Sequence, residues 1–546
     1  MTKNALRIDP RDNVAVALQN LEPGGEIFEG LIVREKVAAK HKVALQDFQQ
    51  GDRIKMYGVV VGAATKPISA GERITTENLS HDAEGFEIRP DRKIEWKGPD
   101  VTRFSGRTFK GYHRSNGQVG TANYWIVVPM VFCENRNLDV MREALSEALG
   151  YDRTSHYARL VGRLAELKRG GAAEADLLAE PLPQEGDAGE RLFPNIDGVK
   201  FLTHGIGCGG TRGDSDALCG LLAGYITHPN VAGATVLSLG CQNAEVSKLE
   251  SEIERRCPGF DRPLHIFTQQ SYPSEQTMLA EALKRLFVGL EQANRLERED
   301  APLTKLTFGM ECGASDGFSG ISANPAIGQV SDLIVQLGGR TILSEFPELC
   351  GVEQELLDRC VDNASAERFA ELMRRYEKRA EETGSALHMN PSPGNIADGL
   401  ITDAIKSAGA AKKGGTSPVR DVLDYPEAVR RDGLTLLCTP GNDVESTTAM
   451  AGAGANLMLF STGLGTPTGN PIVPTLKVAT NSQLAKRMTD IIDFDAGAVI
   501  RGEATIAEVG EKLLELALQT ASGEYSPCAV RLAQDDFLPW KRGVSL

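Results

Sequence analysis

The spacing of hydrophobic and polar positions changes character twice along the chain. Up to residue 82, short apolar runs such as Val14-Ala15-Val16-Ala17-Leu18 and Val59-Val60-Val61 are separated by Gly-containing turns at Pro23-Gly24-Gly25, Gly51-Asp52 and Ala70-Gly71-Glu72. That pattern predicts a small β-rich module. Residues 83–110 are polar and charged, carry Pro90 and Pro99 and show no period, which reads as a linker. From 111 onward β-rich runs alternate with helical stretches, the pattern of α/β units built on a mainly parallel sheet. The expected strands are Trp125–Val128, Val199–Thr203, Thr235–Leu239, Leu264–Phe267, Leu306–Met310, Thr341–Ser344, Leu434–Cys438, Leu457–Phe460 and Leu476–Ala479. The plainest amphipathic helix is Ala366–Thr383, where Phe369, Leu372, Met373 and Tyr376 recur at helical spacing. A polar segment over 171–197 predicts an exposed insertion, and a break at 296–305 divides a second unit, 111–300, from a third, 301–546.

In open α/β sheets ligands bind beyond the carboxyl ends of the strands, and here those loops are rich in polar groups. The densest runs from Glu311 to Pro325 and carries Cys312, Ser315, Asp316, Ser319, Ser322 and Asn324 among several glycines. Comparable loops hold His204 to Gly210, Cys241-Gln242-Asn243, Pro391 to Asn395, Asn442-Asp443 and Ser461 to Asn470. Residues 205–210 satisfy the glycine spacing of a dinucleotide fingerprint, but the next strand ends in Cys241-Gln242-Asn243, without the acid that would hold a ribose, so the nicotinamide reading is disfavoured. Cys208, Cys241 and Cys312 occupy matching strand-end positions, with His204 close by, and fit iron held as a single ion or as a cluster. Glu345 and Glu348 are further candidate acids or metal ligands. Lys477 is a candidate carboxylate binder, and His228 and His265 read as ordinary structural residues.

A net charge of -15 argues against nucleic acid or an anionic membrane as partner. The amino end does not resemble a signal segment and no apolar run approaches a membrane span, which predicts a soluble cytoplasmic protein. Ten cysteines in 546 residues are too sparse for a disulfide scaffold.

Taken together and in order, Asp12 to Leu18, His41 to Leu45, Gly111 to Thr121, Cys312 to Pro325, Pro391 to Asn395, Pro440 to Ser446 and Ser461 to Gly469 resemble the altronate and galactarate dehydratases over nearly the whole chain. The resemblance implies an N-terminal β-clip domain of the SAF type, a linker, a second domain that contributes to a homodimer, and a C-terminal parallel α/β domain of variant Rossmann kind. It also implies an iron-dependent hydro-lyase, with Mn2+ as a replacement metal, acting on a sugar acid such as D-altronate or galactarate. The metal ligands expected are Cys208, Cys241 and Cys312. The proton-transfer groups expected are His41, Asp316 and His204. Lys42, Arg114, Ser315, Ser319, Ser322, Asn324, Asn395, Asn442 and Asp443 are expected to bind the substrate, the two cations offsetting the acidic surface. A non-catalytic sugar-acid binder is the alternative from a different functional class.

Overall fold

The computed structural model describes residues 4–82, 84–89, 94–146, 148–151, 155–183 and 191–546. Parts of the expected linker (83 and 90–93) and of the expected insertion (184–190) lie outside them. In the N-terminal module Ala5–Leu6, Val14–Ala17, Lys42–Ala44 and Arg73–Ile74 form one antiparallel sheet. Arg53–Met56, Val59–Ala64 and Leu79–Ser80 form another. The alternation Arg-Ile-Lys-Met puts Ile54 and Met56 inside and the two cations outside, as a half-buried strand requires. Val14, Met56 and Val61 share one apolar cluster with Phe308, Val330 and Leu513 of the C-terminal domain, so the module is docked by a continuous core.

The second domain carries a four-stranded parallel sheet in the order Gly198–Phe201, Tyr124–Pro129, Val231–Ser238, Leu264–Thr268. The C-terminal domain carries a seven-stranded parallel sheet in the order Val419–Asp424, Gly433–Cys438, Arg340–Leu343, Thr307–Cys312, Leu457–Thr462, Thr475–Ala479, Phe494–Asp495. One face is covered by helices Ala323–Gln336 and Ile506–Ala521. The other is covered by Asp443–Ala453, which packs against Arg212–Ile226 of the second domain. Leu434 and Leu436 point into the first cluster and Leu437 into the second, so these strands are apolar on both faces and read as continuous runs.

Every strand expected beyond residue 111 is present. Val419–Asp424, which the pattern missed, is an edge strand with Arg420 exposed and Asp421 and Asp424 half-exposed, so it lacks the apolar run. The expected linker ends in a strand, Thr108–His113, and the expected break contains its partner, Glu299–Pro302. Antiparallel pairing of these two segments closes the excursion of the chain through the second domain. Among the described residues no helix is long and apolar enough to cross a membrane.

Candidate active site

The central strand of the large sheet, Thr307–Cys312, is followed in the chain by strands that add on one side, while Leu457–Thr462 begins the other. The crevice beyond the carboxyl ends of these two strands is therefore the topological switch point, where such sheets open for a ligand. Two non-glycine residues adopt left-handed backbone in the loops there, Ala314 (φ 49°) after the central strand and Glu345 (φ 63°) after Arg340–Leu343. Residues held in such sparsely populated conformations cluster at functional sites.

Alternation along the central strand sends Phe308, Met310 and Cys312 to one face and Glu311 to the other. Cys312 Sγ accepts from Lys413 Nζ at 2.8 Å and donates to Glu348 Oε2 at 3.4 Å, with Glu345 Oε2 at 3.9 Å. Lys413 Nζ also pairs with Glu345 Oε2, and both side chains are buried. Lys406 Nζ pairs with Glu348 Oε1 at 2.7 Å and donates to Asn390 Oδ1 at 2.6 Å. On the opposite face Glu311 Oε2 accepts from Ser446 Oγ at 2.6 Å. Asp443 leans over Gly313, where a Cβ would fall 2.0 Å from its Oδ2, so glycine is required for that approach.

Burial and negative neighbours dominate the electrostatics. Desolvation, followed by the neighbouring Glu345 carboxyl, raises Glu311 well above the usual carboxylate range. Glu345 is raised by burial against the opposing pull of Lys413, and Cys312 is raised well above a normal thiol by burial and Glu345. Asp443 is pushed up to about 7 by burial, then by Glu345 and Glu348. Lys413 is raised, its burial outweighed by Cys312 and the surrounding carboxyls. Glu311 Oε1 and Glu345 Oε1 are buried and have no donor. Two facing carboxyls of this kind share a proton or meet a cation. Four carboxyls and a thiol surround two ammonium groups, so the site carries surplus acid. Cys312, Glu345 and Glu348 bring their ligand atoms within 4.8 Å of one another, the single such group among the described residues. A mixed thiolate and carboxylate set suits a borderline divalent ion such as Fe2+. The residues present therefore fit the iron that the sequence led us to expect, through one of its three expected ligands.

The other expected site residues are distributed as follows. Asp316 is fully buried and accepts from Phe318 N–H at 3.1 Å, Ser319 Oγ at 3.2 Å and Thr480 Oγ1 at 3.1 Å, with Lys40 Nζ at 3.1 Å. It holds the N-terminal module to the loop, and the cation that reaches it is Lys40, not His41. His41 Nε2 faces the Ala397 carbonyl at 3.0 Å, and burial lowers its pKa. Lys42 does not offer its charge outward. Its Nζ is buried against the carbonyls of Lys40 and Gly399, and burial takes its pKa down to about 7. Ser322 bonds to the carbonyls of Phe318 and Thr480, and Asn324 to Gly409. Asn395 donates to the Ser315 carbonyl at 2.9 Å and caps its own short helix. These groups build the loop wall from inside. Asp443 and the exposed Asn442 are at the rim.

Arg114 and His204 are corrections. Arg114 is buried in the second domain, donating to the Pro229 carbonyl at 2.7 Å and Asn123 Oδ1 at 2.9 Å. Both ring nitrogens of His204 are occupied, Nε2 with the Pro129 carbonyl at 2.9 Å and Nδ1 with the Ile206 N–H at 3.1 Å, and burial lowers its pKa to about 4. Cys208 and Cys241 are exposed on second-domain loops and do not join buried Cys312. Lys477 is buried against the carbonyls of Thr466 and Thr468 and the Phe460 ring. Sequence reasoning missed Lys406, Lys413 and Glu311. Their available signals were a carboxylate inside an otherwise apolar strand and the run Lys412-Lys413-Gly414-Gly415.

The chain is similar to known proteins along its length. Family profiles match in three consecutive blocks: the altronate/galactarate dehydratase SAF domain at 3–82, the D-galactarate dehydratase/altronate hydrolase second domain at 111–294, and the D-galactarate/altronate dehydratase C-terminal domain at 303–545. The chain is 34% identical to an altronate dehydratase of Escherichia coli (strain K12) over 99% of both chains. It is 32% identical to one of Bacillus subtilis (strain 168) over 100% of both. It is also 30% identical to an E. coli galactarate dehydratase (L-threo-forming), over 95% of this chain and 93% of that one. With matching extending through all three blocks, the chain that carries the buried thiol and carboxylate site is a member of the altronate/galactarate dehydratase family.

Proposed function

We propose that this protein is a hydro-lyase that dehydrates a sugar acid, D-altronate to 2-dehydro-3-deoxy-D-gluconate in the first instance, with galactarate as the alternative. The observation that carries the reading is the Cys312, Glu345 and Glu348 group at the switch point of the large sheet, supported by Lys413 and Lys406. End-to-end similarity to two altronate dehydratases favours altronate over galactarate.

The reaction removes the C2 proton and the C3 hydroxyl of a 2,3-dihydroxy acid, and the enol product tautomerises to a 2-keto-3-deoxy acid. A divalent ion, ferrous iron or manganese, would be held by Cys312, Glu345 and Glu348 and would act as a Lewis acid toward the substrate carboxylate and hydroxyl. Lys413 lies against both Cys312 and Glu345 and offsets part of the cost that burial sets on ionising them. Lys406 fixes Glu348 and, through Asn390, the adjoining rim. Half-buried Asp443, titrating at about 7, is placed to take a proton at neutral pH. Glu311, raised by burial and by the neighbouring Glu345 carboxyl, holds a proton in reserve for the departing hydroxide.

The test is anaerobic loading with Fe2+ or Mn2+ under reductant, followed by D-altronate, galactarate and a sulfonated hydroxy acid, with the keto acid read as its semicarbazone. Keto acid from altronate at the highest kcat/KM is the expected result. No keto acid from any substrate by a metal-loaded protein would overturn the reading. A cytoplasmic location and a homodimer belong to the same proposal. Exposed Tyr157, Val161, Phe287 and Val288 on two second-domain helices support the dimer, and sedimentation at graded concentration tests it.

A further inference from the structure

Of the ten cysteines, three are exposed: Cys133, Cys208 and Cys241. Each follows one of three adjacent parallel strands of the second domain, Tyr124–Pro129, Gly198–Phe201 and Val231–Ser238. Unpaired cysteine is ordinarily among the most buried of residues, and an exposed thiol is open to oxidation. Three exposed thiols gathered at one sheet edge, with the rest of the cysteines more enclosed, call for a chemical reason.

The loops are tied to one another. Phe132 N–H donates to the Ile206 carbonyl at 3.0 Å, and the Phe132 ring fills the space a side chain at Gly207 would need. Asn135 Nδ2 donates to the His204 carbonyl at 2.9 Å, which binds the Cys133 loop to the Cys208 loop. Asn243 Nδ2 donates to the Cys208 carbonyl at 3.0 Å, which binds the Cys241 loop to the same place. Gln270, from the loop after the fourth strand, donates to Cys241 Sγ at 3.3 Å. Next to Cys133, Glu134 is fully buried and its Oε1 has no partner. Gly205 opens onto empty space, and the Gly210 N–H closes the turn around Cys208 by donating to the Gly207 carbonyl at 3.3 Å.

We infer that Cys133, Cys208 and Cys241 are the thiolate ligands of an iron–sulfur cluster at the carboxyl edge of the second-domain sheet, separate from the Cys312 site. The sequence grouped Cys208 and Cys241 with Cys312; the fold replaces Cys312 with Cys133. Soft thiolates select iron–sulfur clusters or zinc over hard cations. The three thiols do not converge to the spacing of a single ion; among the described residues the group that does is Cys312, Glu345 and Glu348. A four-iron cube spreads its cysteines over separate corners, which suits three neighbouring loops better than one ion does. Three cysteines leave the fourth iron to a ligand other than cysteine. Insertion of a preformed cluster exchanges three thiol protons for three iron–sulfur bonds and moves no electron. The inference is independent of which acid the protein dehydrates.

The full chain, purified anaerobically and reconstituted with ferrous iron and sulfide, should bind about four iron and about four acid-labile sulfide per chain. It should show the broad visible absorbance of sulfide-to-iron charge transfer and protect these three cysteines from maleimide. Cys133→Ala, Cys208→Ala and Cys241→Ala should each lose most of the labile sulfide and the absorbance while keeping the wild-type melting profile, and Cys312→Ala should keep the sulfide. Iron without labile sulfide, zinc alone, or wild-type sulfide in the Cys133→Ala or Cys208→Ala variant would overturn the assignment.

Discussion

Both parallel sheets of this protein end in loops that carry thiols, and the two edges differ in almost everything else. At the large sheet Cys312 is buried among four carboxyls and two lysines, in a cluster where each charge depends on the next. At the small sheet Cys133, Cys208 and Cys241 are exposed and their loops are joined by amide side chains and backbone bonds. The same sequence feature, a cysteine at or beyond the end of an apolar strand, therefore ends in two different surroundings. They differ in burial and in charged neighbours together: Cys312 lies out of solvent against Lys413 and Glu348, and the other three thiols are exposed.

Removing one charge from the buried edge should give the largest effect. Lys413→Met leaves the Glu345 carboxyl unpaired in the interior and should cost about 3–5 kcal/mol in urea unfolding. Single Cys→Ala changes at the exposed edge should stay within about 0.5 kcal/mol in the cluster-free protein. Equal costs at the two edges would break the comparison. Next, Asp443→Asn should lower kcat by about 10²–10⁴-fold with the fold intact, if the rim carboxyl moves the proton. Cys312→Ser should weaken bound divalent metal by at least about 10–100-fold and lower turnover with it. Elemental analysis showing unchanged metal would remove Cys312 from the ligand set.

A finer test compares two buried lysines. Lys413, ringed by acid, is raised, whereas Lys42, facing carbonyls, is lowered from 10.5 to about 7. Below pH 7 Lys42 is charged in both folded and unfolded chains and its burial cost is present in full. Between about 7 and 10.5 the unfolded chain holds the extra proton, so stability should rise with pH by up to about 1.4 kcal/mol per unit. That slope should be absent from Lys42→Met when the two are unfolded in parallel from pH 7 to 9. A small effect on turnover belongs to His41→Ala, which loses one hydrogen bond to Ala397 and should cost about 1 kcal/mol with turnover reduced less than tenfold. Loss of all turnover would return His41 to the catalytic set.

Much of this was written in local sequence. Most strands of both sheets are largely apolar runs such as Leu434–Cys438 because both of their faces are covered, and the polar loops follow directly from where those runs stop. Glu345 and Glu348 could be suspected from Ser-Glu-Phe-Pro-Glu after a strand. The polar residues of the 311–325 loop misled for the same local reason: density of Ser, Asn and Asp is also what a loop needs to satisfy its own buried backbone, and Ser322, Asn324 and Asp316 are used that way.

The sequence by itself determined the alternation of strand and helix, the loops that carry chemistry and the family. The tertiary structure decided which loops meet. Lys413 reaches Cys312 from 101 residues away, Lys40 crosses from another domain to Asp316, and the loop of Cys133 is bonded to that of Cys208, which is bonded in turn to that of Cys241. The physical reason is that strand formation is set by a residue's near neighbours, whereas the charge on a thiol or a lysine is set by whatever the completed fold buries beside it.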